Sequence, residues 1–204
     1  MPKLPPPPPT GAVEEVPTPY KYRDTFCSHP SHGIFATQKI ARGVTILTEQ
    51  PLFRSATGTL QYHTKFRALN AGSKKKFLSL CNSDPNAPNR RQLRSDTIRG
   101  IWKTNRMVAG DEDAVFETVS RINHSCSPNA KLYWNLETGC MKVKALRKLE
   151  LGEEVTISYI DFDAELEVRK ERLKSWMFVC SCPKCARGAR TTRGTKRRAC
   201  SVGG

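Results

Sequence analysis

From Gly33 onward the chain alternates short apolar stretches, rich in β-branched residues, with glycine-bearing turns. Gly33-Ile34-Phe35-Ala36 and Val44-Thr45-Ile46-Leu47, separated by Arg42-Gly43, read as two strands paired around a turn. Further strand-like pieces fall at 129–134, 140–145 and 155–160, with Gly139 and Gly152 at natural turn sites. Between these groups the period lengthens. Residues 64–80 set Phe66, Leu69, Phe77, Leu78 and Leu80 as a rough apolar face among helix formers, and 82–89, with Pro85 and Pro88, must be loop. A helical insertion is therefore expected over about 60–110. Leu166, Arg169, Leu173 and Trp176 recur at helical spacing within Ala164 to Met177, which predicts one late helix. The expected class is mainly β with α insertions, without internal repeats.

Length and composition add boundaries. A chain of 204 residues with 38% hydrophobic content suits one compact domain with tails. Pro5 to Pro9, Pro17 and Pro19 make residues 1–19 an extended arm that cannot bury a core, so it is expected to be disordered. The domain proper is expected over 20–163, a C-terminal helix and cysteine segment over 164–186, and a disordered basic tail over 187–204. No run is long and apolar enough for a membrane helix and no apolar signal core opens the chain, so a soluble, unsecreted protein is expected.

The charge is concentrated. The net charge of +15 is carried by residues 64–106, with eleven Lys/Arg against Asp84 and Asp96, and by six more in 186–204; the remainder is neutral. Segments 64–106 and 187–198 are thus the candidate contacts with chromatin, nucleic acid or acidic protein surfaces, and a solvated basic face is the alternative.

Three of the eight cysteines crowd into Cys180-Ser181-Cys182-Pro183-Lys184-Cys185. Without a secretory context that spacing favours metal over disulfides, and tetrahedral zinc takes four soft ligands at ~2.3 Å. Three ligands are local; the fourth has Cys126, Cys200, Cys140, Cys81, Cys27 or a histidine as candidates. Four cysteines leave no open coordination position, so such a site would be structural.

Two segments carry the remaining chemistry. Asn123-His124-Ser125-Cys126-Ser127-Pro128-Asn129 is a polar run ending in a turn, and Gly152-Glu153-Glu154-Val155-Thr156-Ile157-Ser158-Tyr159 is a turn followed by a strand ending in tyrosine. Neither names a reaction alone. Glu153 and Glu154, adjacent in a turn, point apart and read as structural and not as an acid–base pair.

Together these segments closely resemble the SET-domain family, whose Asn-His-Ser-Cys-x-Pro-Asn and Gly-Glu-Glu-x-x-x-x-Tyr motifs they match almost letter for letter. Gly33 to Ala36 with Ile40, Gly43 and Glu49-Gln50-Pro51 is similar to the family's opening motif, although Ser31-His32-Gly33 stands where many relatives carry Gly-x-Gly. The cysteine segment is similar to the post-SET element. The pattern is most like the SET-and-MYND branch and its fungal relatives, though no Cys/His pairs between 50 and 110 fit a MYND finger. The resemblance covers about 27–186.

The resemblance implies a SET fold, a β-clip of small twisted sheets with a C-terminal pseudoknot, plus a post-SET zinc site. It implies a protein-lysine N-methyltransferase that uses S-adenosyl-L-methionine and transfers the methyl group in line to a deprotonated lysine amine. Gly33, Ile34, Phe35 and His124 are expected to hold the cosubstrate through their backbone, Asn105 and Asn123 to bind its methionine end, and Phe178 to stack on adenine. Tyr159 would orient amine and methyl as the catalytic residue, beside the cosubstrate. Cys126 becomes the fourth zinc ligand with Cys180, Cys182 and Cys185. The expected partner is a protein bearing a target lysine, histone or non-histone, met by a monomer in the nucleus or cytoplasm. Two rivals remain: a catalytically silent SET adaptor for chromatin or protein partners, and a zinc-stapled nucleic-acid binder.

Overall fold

The computed structural model describes residues 19–26, 30–84, 95–161 and 163–188. All but Pro19 of the expected arm and all but Arg187 and Gly188 of the expected basic tail lie outside them, as do Cys27 and Cys200.

Among the described residues, ten short strands form three small sheets. They are β1 (Tyr20–Phe26), β2 (Pro30–Ala36), β3 (Thr45–Glu49), β4 (Phe53–Ala56), β5 (Met107–Ala109), β6 (Glu112–Val115), β7 (Asn123–His124), β8 (Ala130–Asn135), β9 (Cys140–Ala145) and β10 (Glu154–Ile157). Their orders are β1-β2-β10-β7, β3-β9-β8 and β4-β6-β5. Pairing is antiparallel except between β10 and β7, where Thr156 faces Asn123 and Ile157 faces His124 in parallel register. A late strand thus lies between one from the start of the chain and one from its middle.

The expected pairing of 33–36 with 44–47 is not what forms. β2 pairs with β1 and β10, whereas β3 pairs with β9. The chain between them is redirected by an Ile40–Leu149 bridge and by Gly43, which takes φ +82° and donates its N–H to Ala145 O at 2.8 Å. Side chains rarely tolerate that backbone region, so glycine there lets the chain swing onto a distant strand.

The insertion contains three helices, α1 (Gln61–Ala68), α2 (Ala71–Leu78) and α3 (Ser95–Asn105). The apolar run 64–80 is two helices because Leu69 is extended and Asn70 caps α2, its Oδ1 accepting from Ser73 N at 2.8 Å. Their apolar faces bury Tyr62, Phe66, Phe77, Leu80, Ile98, Ile101 and Trp102 against Phe53 and Val115 of the third sheet. Trp102 stacks between Phe53 and Tyr62, with ring centroids 5.1 and 5.2 Å away.

The main core lies among the sheets and includes Ile34, Ala36, Ile122, Met141, Val143, Val155 and Ile157. The late helix is α4 (Leu166–Leu173), followed by a 3-10 turn at Lys174–Trp176 that ends at Met177 with φ 59°. It builds a third cluster from Leu166, Leu173, Trp176, Phe178 and Cys126, Cys180, Cys182 and Cys185. The functional candidates sit where this cluster meets the main core.

Candidate active site and metal centre

β10 stops at Ile157 because the next residues leave the ladder. Tyr159 donates its backbone N–H to His124 Nδ1 at 3.0 Å, and its phenol donates to Ile122 O at 2.6 Å. An accepting Nδ1 places the proton of a neutral imidazole on Nε2, which lies 3.2 Å from Cys126 Sγ. Burial, and then the charge of Arg169, push His124 down to about 4, so the ring is neutral near pH 7. One imidazole therefore spans from a thiol to the tyrosine main chain. Around Tyr159 stand the rings of His124 at 5.3 Å, Trp176 at 5.4 Å and Phe178 at 6.4 Å, the last edge-on.

The two sequence segments are fastened to each other by more than two ladder pairs. Buried Asn129 donates to Glu154 O at 2.7 Å and Glu153 Oε1 at 3.1 Å, and accepts from Thr156 N at 2.8 Å. Ser125 N adds a bond to Ile157 O at 2.9 Å. The carboxylates diverge as expected: Glu154 Oε1 accepts from Asn123 Nδ2 at 2.7 Å, while Glu153 takes Arg147 and the Glu150 N–H. Arg147 first among several donors holds the Glu153 carboxyl below its ordinary range.

The other expected cosubstrate residues are distributed around this junction. Ile34 and Phe35 are paired on both sides, to β1 and to β10, and Ile34 sends its side chain into the core. Gly33 is paired with Arg23 of β1 and has no β10 partner among the described residues. Asn105, buried at the end of α3, donates Nδ2 to Cys81 O at 2.6 Å and Ile101 O at 2.7 Å. Because those partners are acceptors, the amide orientation is fixed, as it is for Asn123 against Glu154. Each amide Oδ1 has no hydrogen-bond partner among the described residues.

Cys126, Cys180, Cys182 and Cys185 converge, with all four sulfurs within 4.8 Å of one another and Cys126 to Cys185 at 3.6 Å. A tetrahedron with metal–sulfur bonds of ~2.3 Å has sulfurs ~3.8 Å apart, so this set could bind zinc. Burial pushes the Cys126 thiol up to about 12, with the neighbouring cysteines adding to it, and also raises Cys180; backbone and sulfur hydrogen bonds outweigh burial at Cys182 and bring it to about 6. Four thiolates this close repel one another unless a cation sits among them, which is the chemistry of a thiolate metal site. Among the other candidates for a fourth ligand, Cys81 and Cys140 do not join this set.

Three contributors had only faint signals in the sequence. Asn129 ends a quoted motif but its clamp on β10 needs the fold. Trp176 was visible only as a helical apolar position, yet its Nε1 donates to Thr104 O at 3.0 Å and ties the C-terminal segment to α3. Arg169 sat in the same stripe and proves to be 4% exposed beside the cysteines. Of the basic segment, Lys76 pairs with Glu117, Arg99 with Asp96 and Arg106 with Asp113.

Small sheets tied by a parallel bridge, with a tyrosine and a four-cysteine cluster at the junction, define a class. The SET domain family model matches residues 31–160, and the chain belongs to the SET-domain family. It is similar to "Histone-lysine N-methyltransferase set5" of Schizosaccharomyces pombe, 29% identical over 156 residues, covering 76% of this chain and 47% of that protein. It is also similar to "Histone-lysine N-methyltransferase ATXR2" of Arabidopsis thaliana, 43% identical over 74 residues, covering 35% of this chain and 16% of that one. "Protein-lysine N-trimethyltransferase SMYD5" of Homo sapiens is 29% identical over 131 residues, 60% of this chain and 31% of its own length. The chain thus spans less than half the length of these curated relatives. No helix among the described residues is long and apolar enough to cross a membrane.

Proposed function

We propose that this chain is the catalytic unit of an S-adenosyl-L-methionine-dependent protein-lysine N-methyltransferase, acting on a histone or non-histone lysine in the nucleus or cytoplasm. Its supports are the family and the names of the relatives. The observation that carries it is the two-point fixation of Tyr159: main chain to His124 at 3.0 Å, phenol to Ile122 O at 2.6 Å, among three other rings.

When bound, S-adenosylmethionine supplies a sulfonium methyl that is already electrophilic: the lysine Nζ lone pair forms the new bond, and the carbon–sulfur pair returns to sulfur. The chain's residues then have to position and desolvate. The substrate ammonium, with a free pKa of ~10.4, loses its proton more readily in an apolar surround beside a positive charge. His124, Trp176 and Phe178 supply rings for that surround, and the Tyr159 oxygen orients the amine. The unpartnered Oδ1 atoms of Asn105 and Asn123 are acceptors of the kind a methionyl ammonium needs, and Gly33, having no side chain, leaves room for close approach to β2. Ile34 and Phe35 contribute by holding β2 in place, and Phe178 is the ring offered to adenine.

In this reading Cys126, Cys180, Cys182 and Cys185 hold one structural zinc, which pins the segment bearing Trp176 and Phe178 against the motif bearing His124. The test is calorimetry with S-adenosylmethionine followed by incubation of the protein with isotopically labelled cosubstrate and cell extract, read by mass spectrometry. Saturable binding and labelled lysines are expected; absence of binding by pure, zinc-loaded protein would point instead to a silent adaptor.

A further inference from the structure

The inward face of α4 is Leu166, Arg169 and Leu173. Two leucines flank an arginine that is 4% exposed, although arginine is rarely buried without a partner. Its Nη1 donates to Ala164 O, its Nη2 lies 3.8 Å from Cys185 Sγ, and its Nε has no partner. Among the described residues no carboxylate pairs with it: Glu167 pairs with Lys170 at 2.8 Å, Glu171 with Lys174 at 2.5 Å and Asp161 with Arg172 at 4.0 Å, while Asp163 and Glu165 are exposed. The titratable groups that face the guanidinium are Cys126, Cys185 and the His124 ring. A thiol offers it no counter-charge unless it gives up its proton, and a buried cation left uncompensated is strongly unfavourable.

A zinc ion held by four thiolates changes that balance, because +2 and four times −1 leave a complex of −2. We propose that Arg169 is the buried counter-charge of this tetrathiolate and a positioning residue for it, donating to sulfur and thereby setting how tightly the metal is held. The inference rests on the zinc reading above and deepens it. Hydrogen bonds and charge around the ligands commonly change metal affinity by 10- to 100-fold on removal. The same placement explains why a helix that docks on an otherwise apolar cluster carries a guanidinium at its centre.

The experiment uses the full chain, purified reduced, with metal content by elemental analysis and zinc affinity by competition with a chromophoric chelator. Wild type is compared with Arg169→Lys, which keeps the charge, and Arg169→Met, which keeps apolar bulk without it. Wild type is expected to hold one zinc, Arg169→Lys to stay close to it, and Arg169→Met to bind about 10- to 100-fold more weakly. Zinc bound by Arg169→Met as tightly as by wild type overturns the proposal. So does loss of zinc from Arg169→Lys, which would make shape and not charge the requirement, and this arm decides even if Arg169→Met fails to fold. Wild type that takes up no zinc defeats the metal reading itself, an outcome distinct from either.

Discussion

Tyr159 is held at both ends of the residue, and the two tethers have different jobs. The bond from its amide to His124 Nδ1 fixes where the chain turns off β10, while the phenol bond to Ile122 O fixes where the hydroxyl points. Asn129 supports both by clamping Thr156, Glu154 and Glu153. Asn129→Ala takes the partner from the part-buried Thr156 N–H and from Glu154 O, while Glu153 keeps Arg147, so it should cost about 1–3 kcal/mol in a urea titration; an unchanged midpoint would mean that water replaces the amide freely. Glu153 gives a pH signature. Its folded carboxyl lies below its ordinary value, so its contribution is present above the unfolded pKa of 4.5 and is lost as pH falls through the folded value. Its Arg147 partner is half exposed, so the contribution is under about 1 kcal/mol. Glu153→Gln should therefore flatten the fall in thermal midpoint below pH 4.5 and lower stability only slightly at neutral pH. At this scale the sequence was informative about identity and silent about partners: Asn123, His124 and Tyr159 stood out as a motif, but nothing local told that His124 Nδ1 serves the Tyr159 amide 35 positions later.

At the scale of elements, the C-terminal segment and the insertion are joined across the site. Trp176 Nε1 reaches Thr104 O at 3.0 Å, and Ser83 Oγ reaches Ser175 O at 3.0 Å while also contacting Thr104 Oγ1. Trp176→Phe keeps a ring and removes the indole donor, so amide exchange should quicken across 174–178 with little change in the main core; equal protection would dismiss this latch. The late helix and the strands at 130–135 and 140–145 were legible because their apolar period is local. The partners of β2 and β3 were not, since a hairpin reading assumes that neighbours in sequence pair, and β10 lies more than a hundred residues from β2. The third sheet escaped because strands of three or four residues, such as Met107–Ala109, carry too little alternation to register. The helix at 95–105 lies within the expected helical insertion, but its own bounds were not marked out, although Ile98, Ile101 and Trp102 form its buried stripe.

For the molecule as a whole, the cysteine centre lies within the third cluster of buried side chains, and Cys126 ties that cluster to His124 beside the main core. Metal binding of this kind is folding free energy, so Cys182→Ser should lose zinc and stability together. Chelation of the wild type should raise amide exchange over 160–186 well before the main core opens; uniform protection after metal removal would show that the joint holds without it. The fold class could be read from short strands and one insertion, and the cysteine triplet from spacing alone. The fourth cysteine of the cluster could not, because Cys126 is 54 positions from Cys180 and was singled out only through the family's motif.

The account turns on the Tyr159 hydroxyl acting in methyl transfer while the scaffold around it stays as it is. The direct measurement is Tyr159→Phe, with S-adenosylmethionine affinity by calorimetry and labelled-methyl incorporation into protein lysines by mass spectrometry, each against wild type. Affinity and thermal midpoint near wild type with incorporation reduced at least about tenfold, the size of effect expected when one oriented group is removed, is the predicted result. Incorporation equal to wild type would contradict it.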